Sequence, residues 1–425
     1  MKPLTLDALR EILPEIDEIR PIFSRVLSTS RSPESDLWAA STALGTAGAR
    51  RGRLVEVAHD LSAITRGEVD HLRAIHTCIG QLLEALADGD AEAAASALLE
   101  AAALEEARER SERARAYADA AVRTLSGNGG SFLGLRALRR RARASRSLGR
   151  YAEALADYTV AWQGSDQMGD AQGAAEAAIG AGNVLEDQAR WEDAESWYQT
   201  ALSGIDRDAH EGPERWQALL NLSVVLRSRG ALEEAREQLD AAERAAEAFE
   251  GEGAGVFFEN ARGQWFMAAG QFEEAIDHLT LALASANDAR ARIIVGLNLA
   301  EALHASGRTL EAAEEARRAE LEAINARRPD RLPEVYRTLG RLAADEGSPD
   351  AFVLFERALA LIEEHALPPI ERARTLQFYA EAETAAGRSD TAETLHAAAT
   401  AAYEVMDIEP RATWAETHPG AQRKQ

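Results

Sequence analysis

The sequence predicts an all-α protein built as a solenoid of antiparallel helix pairs. Three observations predict it. The helix formers Ala, Leu, Glu and Arg dominate, whereas aromatics make up 6% and the strand-favouring Val, Ile and Thr are sparse. A short turn-and-helix motif recurs seven times with a period near 40 residues. Within each copy, small and large residues return at offsets that share one helical face.

A chain of 425 residues has room for one long repeat array, and 46% hydrophobic residues supply a continuous core, much of it Ala. The formal net charge of −24 repels phosphate backbones and anionic membranes, so neither nucleic acid nor membrane is an expected partner. Lys2 and Lys424 are the only lysines; a GC-rich genome, with its arginine codons, accounts for that bias. The single cysteine, Cys78, excludes an internal disulfide and a Cys-type zinc site, and reads as a buried structural thiol. The N-terminal stretch lacks the apolar core of a signal peptide, and no apolar run approaches the ~18 residues of a membrane span. The cytoplasm is the expected compartment.

The first 130 residues read as helical without clean register. Residues 1–67 form an N-terminal helical region interrupted by the loop TSRSPESD at 29–36. Residues 68–130 hold a helical pair, with Ala91 just past its turn, and a long helix from about Glu105 to Leu125 that ends at SGNGG. They form a degenerate repeat or a cap.

The regular array covers residues 131–408. Its anchors, just past each turn, are Tyr151, Trp191, Leu232, Phe272, Thr309, Pro349 and Ser389, with spacings of 40, 41, 40, 37, 40 and 40. Three residues on stands Ala154, Ala194, Ala235, Ala275, Ala312 and Ala392; seven on stands Tyr158, Tyr198, Leu239 and Leu279. Nine residues before the anchors a small residue recurs, as at Gly182, Gly263 and Gly340. Small residues at fixed points let two helices approach, and the large one fills the space beside them. Glycine two residues before most anchors suits a turn with positive φ. The copy at Pro349 departs, with Phe352 in the alanine place, and a local distortion is expected there. The tail, 409–425, is expected to be frayed or disordered.

Helix–turn–helix units with this pattern resemble tetratricopeptide repeats. The usual period is about 34 residues, and the longer one here is similar to the long-helix variety of kinesin light chains and some bacterial regulators. The resemblance implies a right-handed superhelix whose first helices line the concave side.

A binding face should carry polar residues at matching offsets, and it does. Asn183, Asn221, Asn260 and Asn298 lie 8, 11, 12 and 11 residues before their anchors, and Gln264 and Gln377 lie 8 and 12 before theirs. These offsets differ by three or four and share one face. A carboxamide offers both donor and acceptor, which an extended main chain needs. The resemblance adds that the kinesin-light-chain groove uses asparagine in this way. The alternative is that the amides cap or bridge helices internally. The same face carries Arg136, Arg139, Arg140 and Arg143 on one helix and Arg337 and Arg341 near the other end. These guanidinium groups either receive acidic side chains or a terminal carboxylate of a partner, or pair with nearby Glu on a solvated face.

No phosphate-binding loop, metal-type histidine pair or nucleophile constellation is present, so no enzyme activity, cofactor or metal is expected. The expected function is a scaffold or adaptor that holds an extended peptide or protein segment in its groove. One alternative is a peptide-sensing regulator acting on a separate effector; another is an oligomeric assembly module.

Overall fold

The computed structural model describes residues 66–208, 212–247, 254–326, 328–365 and 367–406. The expectations for the region before residue 66 and for the tail from Glu409 lie outside the described residues. The described residues form 17 α-helices, one short 3-10 turn and no strand. The chain divides into two compact units, Met1–Ser145 and Arg146–Gln425.

In the first unit, α1 (Arg66–Asp88) packs on α2 (Ala91–Glu106), which packs on α3 (Ser111–Thr124). Asp90 caps α2 by accepting from the backbone N–H of Glu92 and Ala93 at 3.1 and 2.9 Å. Leu82, Leu98 and Tyr117 fill the core among alanines, joined by Ala137 of α4 (Phe132–Ser147). Cys78 lies in this core, and burial pushes its thiol up to about 11, so it is an inert structural thiol. The long helix expected from about Glu105 to Leu125 is broken instead. Glu109 takes a left-handed φ of 55°, and Arg110 N–H closes back onto Glu105 C=O at 3.0 Å. This is the bond pattern that ends a helix around a left-handed residue, here made without glycine.

The second unit contains α5 (Tyr151–Met168), α6 (Ala171–Asp187), α7 (Trp191–Arg207), α8 (Glu214–Ser228), α9 (Leu232–Glu247) and α10 (Ala254–Ala268). It continues through α11 (Phe272–Ser285), α12 (Ala289–Ala305), α13 (Thr309–Asn325), α14 (Leu332–Asp345), α15 (Asp350–Glu364), α16 (Pro369–Ala385) and α17 (Ser389–Val405). From α6 onward each even-numbered helix packs tightly on the helix that follows it. The turns inside these pairs repeat one geometry: Arg190, Gln271, Arg308 and Arg388 each return an N–H to the carbonyl five residues earlier, at 2.8–2.9 Å. A left-handed residue precedes each, glycine everywhere except Ala189.

Size complementarity sets the distance within a pair. A Cβ on Gly182 would sit 2.5 Å from the Tyr198 ring, and one on Gly263 2.5 Å from Leu279. Tyr198 is fully buried by this approach, which stabilises on the order of 2–3 kcal/mol for a side chain of that size. The distortion expected at Pro349 proves to be a shift of register. The small and large places fall one residue early, two and six residues past Pro349 instead of three and seven, and are taken by Ala351 and Phe355, both fully buried. Gly340 still faces the large residue, its added Cβ falling 3.0 Å from the Phe355 ring.

Successive first helices of the pairs (α6, α8, α10, α12, α14 and α16) adjoin one another, whereas their second helices stand farther apart among the described residues. The crowded layer is the inner side of the curve, and α6 to α16 therefore wall an inner channel. The curve brings the last pair back to the first helices of this unit. Gln188 Nε2 donates to Met406 C=O at 3.2 Å in a buried contact, across 218 residues of sequence. A Cβ on Gly149 would lie 3.5 Å from the Pro369 ring.

Candidate functional site: an amide row on the inner helices

The four asparagines predicted to share a face lie on four consecutive inner helices, and they touch in pairs. Asn221 Nδ2 on α8 donates to Asn183 Oδ1 on α6 at 2.8 Å. Asn298 Nδ2 on α12 donates to Asn260 Oδ1 on α10 at 2.8 Å. Each pair bridges neighbouring repeats, 38 residues apart in sequence. Gln264, four residues after Asn260 and on the same face, accepts from Arg227 Nη2 of α8 at 2.8 Å.

All five amides are partly exposed, and each engages only one end of its carboxamide. Asn183, Asn260 and Gln264 use the oxygen and retain the NH2; Asn221 and Asn298 use the NH2 and retain the oxygen. Among the described residues no protein group meets the retained ends. The row thus has donors and acceptors to offer without breaking its own bonds.

Two residues outside the predicted set complete one end. Tyr198 of α7 places its hydroxyl 2.7 Å from Asn183 Oδ1 and 2.9 Å from Glu186 Oε2, two acceptors for one proton. Burial, and then the Glu186 carboxylate, push the Tyr198 hydroxyl well above its ordinary pKa, so it stays protonated. Tyr198 was legible as a core residue, because it holds the large place of its repeat. Its second role follows from the phenol tip passing Gly182 to reach the channel.

The predicted arginines have carboxylate company where their contacts are defined. In the first unit Glu106 receives Arg140 at 2.5 Å and Arg143 at 3.4 Å. Arg139 is buried, and Arg136 is exposed. In the second unit Arg341 Nη1 donates to Glu301 at 2.6 Å, and its guanidinium lies over the Phe378 ring at 4.6 Å. Arg337 is buried and donates to Glu371 at 2.9 Å and to Thr375 at 3.4 Å. Burial alone would raise the Glu371 carboxyl, but the Arg337 and Arg374 charges outweigh it and hold it at about 2. Gln377 is also buried. Its Oε1 accepts from the Tyr403 hydroxyl at 2.9 Å, and its Nε2 donates to Glu381 at 3.3 Å. The amide row and the Arg337 cluster are therefore different environments of one inner wall.

A cavity of about 460 Å³ lies elsewhere, between α5, α7 and the start of α6. It is an open groove whose cation, Arg207, already meets Asp166 and Asp208 at 2.7 Å each. Among the described residues no cluster of His, Cys, Asp or Glu has the makings of a metal site, and no helix is long and apolar enough to cross a membrane.

No family model matches the chain, and no curated protein matches it in sequence. Solved structures match it in fold. A Rap protein complexed with competence and sporulation factor superposes with a TM-score of 0.52 at 14% identity, over 78% of this chain and 98% of that one. The Rap conjugation gene regulator of the plasmid pLS20, in complex with the Phr* peptide, gives 0.48 at 15% identity, over 91% and 94%. A tetratricopeptide repeat protein from Parabacteroides merdae ATCC 43184 gives 0.44 at 15% identity, over 68% and 93%. The chain is an all-helical solenoid of paired helices that shares its fold with that Rap protein.

Proposed function

We propose that this protein binds an extended peptide or protein segment along its inner channel, and that the amide row holds the segment's main chain. One observation carries the reading: consecutive inner helices present carboxamides that are hydrogen-bonded at one end and open at the other. Fixing without saturation pre-organises a polar surface for a ligand that supplies alternating N–H and C=O groups. The peptide complexes among its structural neighbours belong to those proteins, and they agree with this reading. Arg140, Arg143, Arg337 and Arg341 serve mainly to hold the helices through their carboxylates, with Gln377 beside them.

The test is a random-peptide library panned against the full chain, followed by titration of the selected peptides. Asn221→Ala combined with Asn298→Ala should weaken binding by about 10- to 100-fold, on the scale of one to two lost hydrogen bonds. The fold itself should lose only about 1–2 kcal/mol. Unchanged affinity in the double variant sinks the reading.

A second reading, a sensor that changes shape on binding, is favoured by the contact between Gln188 and Met406. A segment that widens the channel has to part that buried hydrogen bond. X-ray scattering of the second-unit curve with and without a selected peptide separates sensor from scaffold, since only the sensor requires a changed profile.

A further inference from the structure

The arginines on the inner helices are almost all matched by carboxylates. Arg292 meets Glu322 at 2.5 Å, Arg341 meets Glu301 at 2.6 Å and Arg337 meets Glu371 at 2.9 Å. Arg227 of α8 is different. Its defined bond runs from Nη2 to a neutral acceptor, Gln264 Oε1, and among the described residues no carboxylate lies within ion-pair distance of it. The acid that acts on it most is Glu186, whose carboxylate is occupied by the Tyr198 hydroxyl. Burial draws the guanidinium below its ordinary pKa, with only Glu186 opposing.

A guanidinium carries five N–H donors in a planar fork, and Arg227 has one of them engaged. Arg227 is half-buried, and a guanidinium drawn partly out of water without a counter-charge costs some stability. The same group is a strong receptor for an incoming carboxylate, which it can meet bidentately. Gln264 fixes the fork from one side; Asn221 shares its helix, and Asn183 and Asn260 lie on the inner helices before and after it.

On the peptide-binding reading above, we propose that Arg227 anchors a carboxylate of the bound segment, so that the channel selects an Asp or Glu side chain or a free C-terminus. The amides hold the main chain, and the guanidinium sets its register.

Two random decapeptide libraries, one with free C-terminal acids and one amidated, distinguish the sources when panned against the full chain. Enrichment confined to the free-acid library assigns the C-terminus; enrichment of Asp or Glu at one position in the amidated library assigns the side chain. Selected peptides should then bind Arg227→Gln at least about tenfold more weakly in fluorescence anisotropy. Peptides that need Asn221 and Asn298 but bind Arg227→Gln as tightly as the unaltered chain overturn the anchor and leave the cradle standing. Failure to recover any peptide from either library overturns both. Thermal melting of the ligand-free protein gives an independent reading. Arg227→Met should raise the midpoint by a few degrees, because it removes an unmatched charge, whereas Arg337→Met should lower it. A lowered midpoint for Arg227→Met shows a guanidinium already satisfied and overturns the proposal.

Discussion

Between α6 and α12 each carboxamide engages one end and leaves the other open. Between α14 and α16 Arg337 reaches both Glu371 and Thr375, and Glu371 also receives Arg374 at 3.4 Å. Both stretches lie on inner helices and bridge repeats 34–38 residues apart. The first leaves polar capacity unspent, whereas the second consumes it. In a solenoid, where each repeat meets only its neighbours, polar groups on the inner wall can either lock repeats together or await a ligand. Counting bonds per group tells the two apart.

The largest way to break this comparison is to remove one member of the saturated stretch. Arg337→Ala should cost about 2–3 kcal/mol, because it removes a buried charge-assisted hydrogen bond and leaves the half-buried Glu371 carboxylate to Arg374 alone. Urea denaturation measures it, and a cost below about 1 kcal/mol would show that the cluster does not hold the repeats. Acid offers a milder form of the same test. Glu371 titrates at about 2 in the folded chain and near 4.3 when unfolded, so the unfolded state takes up the proton first as pH falls. Its stabilisation is complete above about pH 4.5 and is lost between there and about pH 2, at most about 3 kcal/mol. Arg337→Ala should flatten that window, while Asn221→Ala should leave it unchanged. Equal acid slopes in the two variants would remove the distinction between the stretches.

The repeats were legible because packing writes itself into residue size. Gly182 against Tyr198 and Gly263 against Leu279 are contacts of one hairpin, and their spacing survives in the sequence. The amide row was legible through helical period alone, since offsets of 8, 11 and 12 fall on one face whatever the tertiary structure. The arginines were another matter. Arg140 and Arg337 find their partners 34 residues away on a neighbouring repeat, and a sequence does not show which carboxylate stands opposite. Arg227 was missed for the converse reason. It sits five residues before its anchor, where one other repeat places Arg146 but the rest place Glu186, Met267, His304, Ala344 and Thr384, so the period alone does not mark it. What distinguishes it is a carboxylate that is not there. The break at Glu109 was hidden in the same way, because a left-handed turn was expected only where glycine stood.

The smallest expected effect sharpens the comparison at the point where the amide stretch departs from the array's own turn. Glycine occupies the left-handed place at residues 230, 270, 307, 347 and 387, but alanine does at Ala189, with φ 57°. A left-handed alanine costs about 1–2 kcal/mol, and the extra freedom of glycine in the unfolded chain offsets about 0.5–1 of that. Turn geometry alone therefore predicts that Ala189→Gly stabilises the protein by about 0.5 kcal/mol. Ala189 is also buried and follows Gln188, whose side chain bonds Met406 where the curve of the second unit meets its own start. If its methyl packs that junction, the gain disappears, and a loss of about 1 kcal/mol takes its place. Thermal melts of Ala189→Gly, with Gln188→Ala as the reference that cuts the hydrogen bond alone, decide between strain and packing. A gain in the first variant and a loss in the second mean that the junction rests on the hydrogen bond. Losses in both mean that an alanine was kept out of register with its sister turns because it helps close the channel.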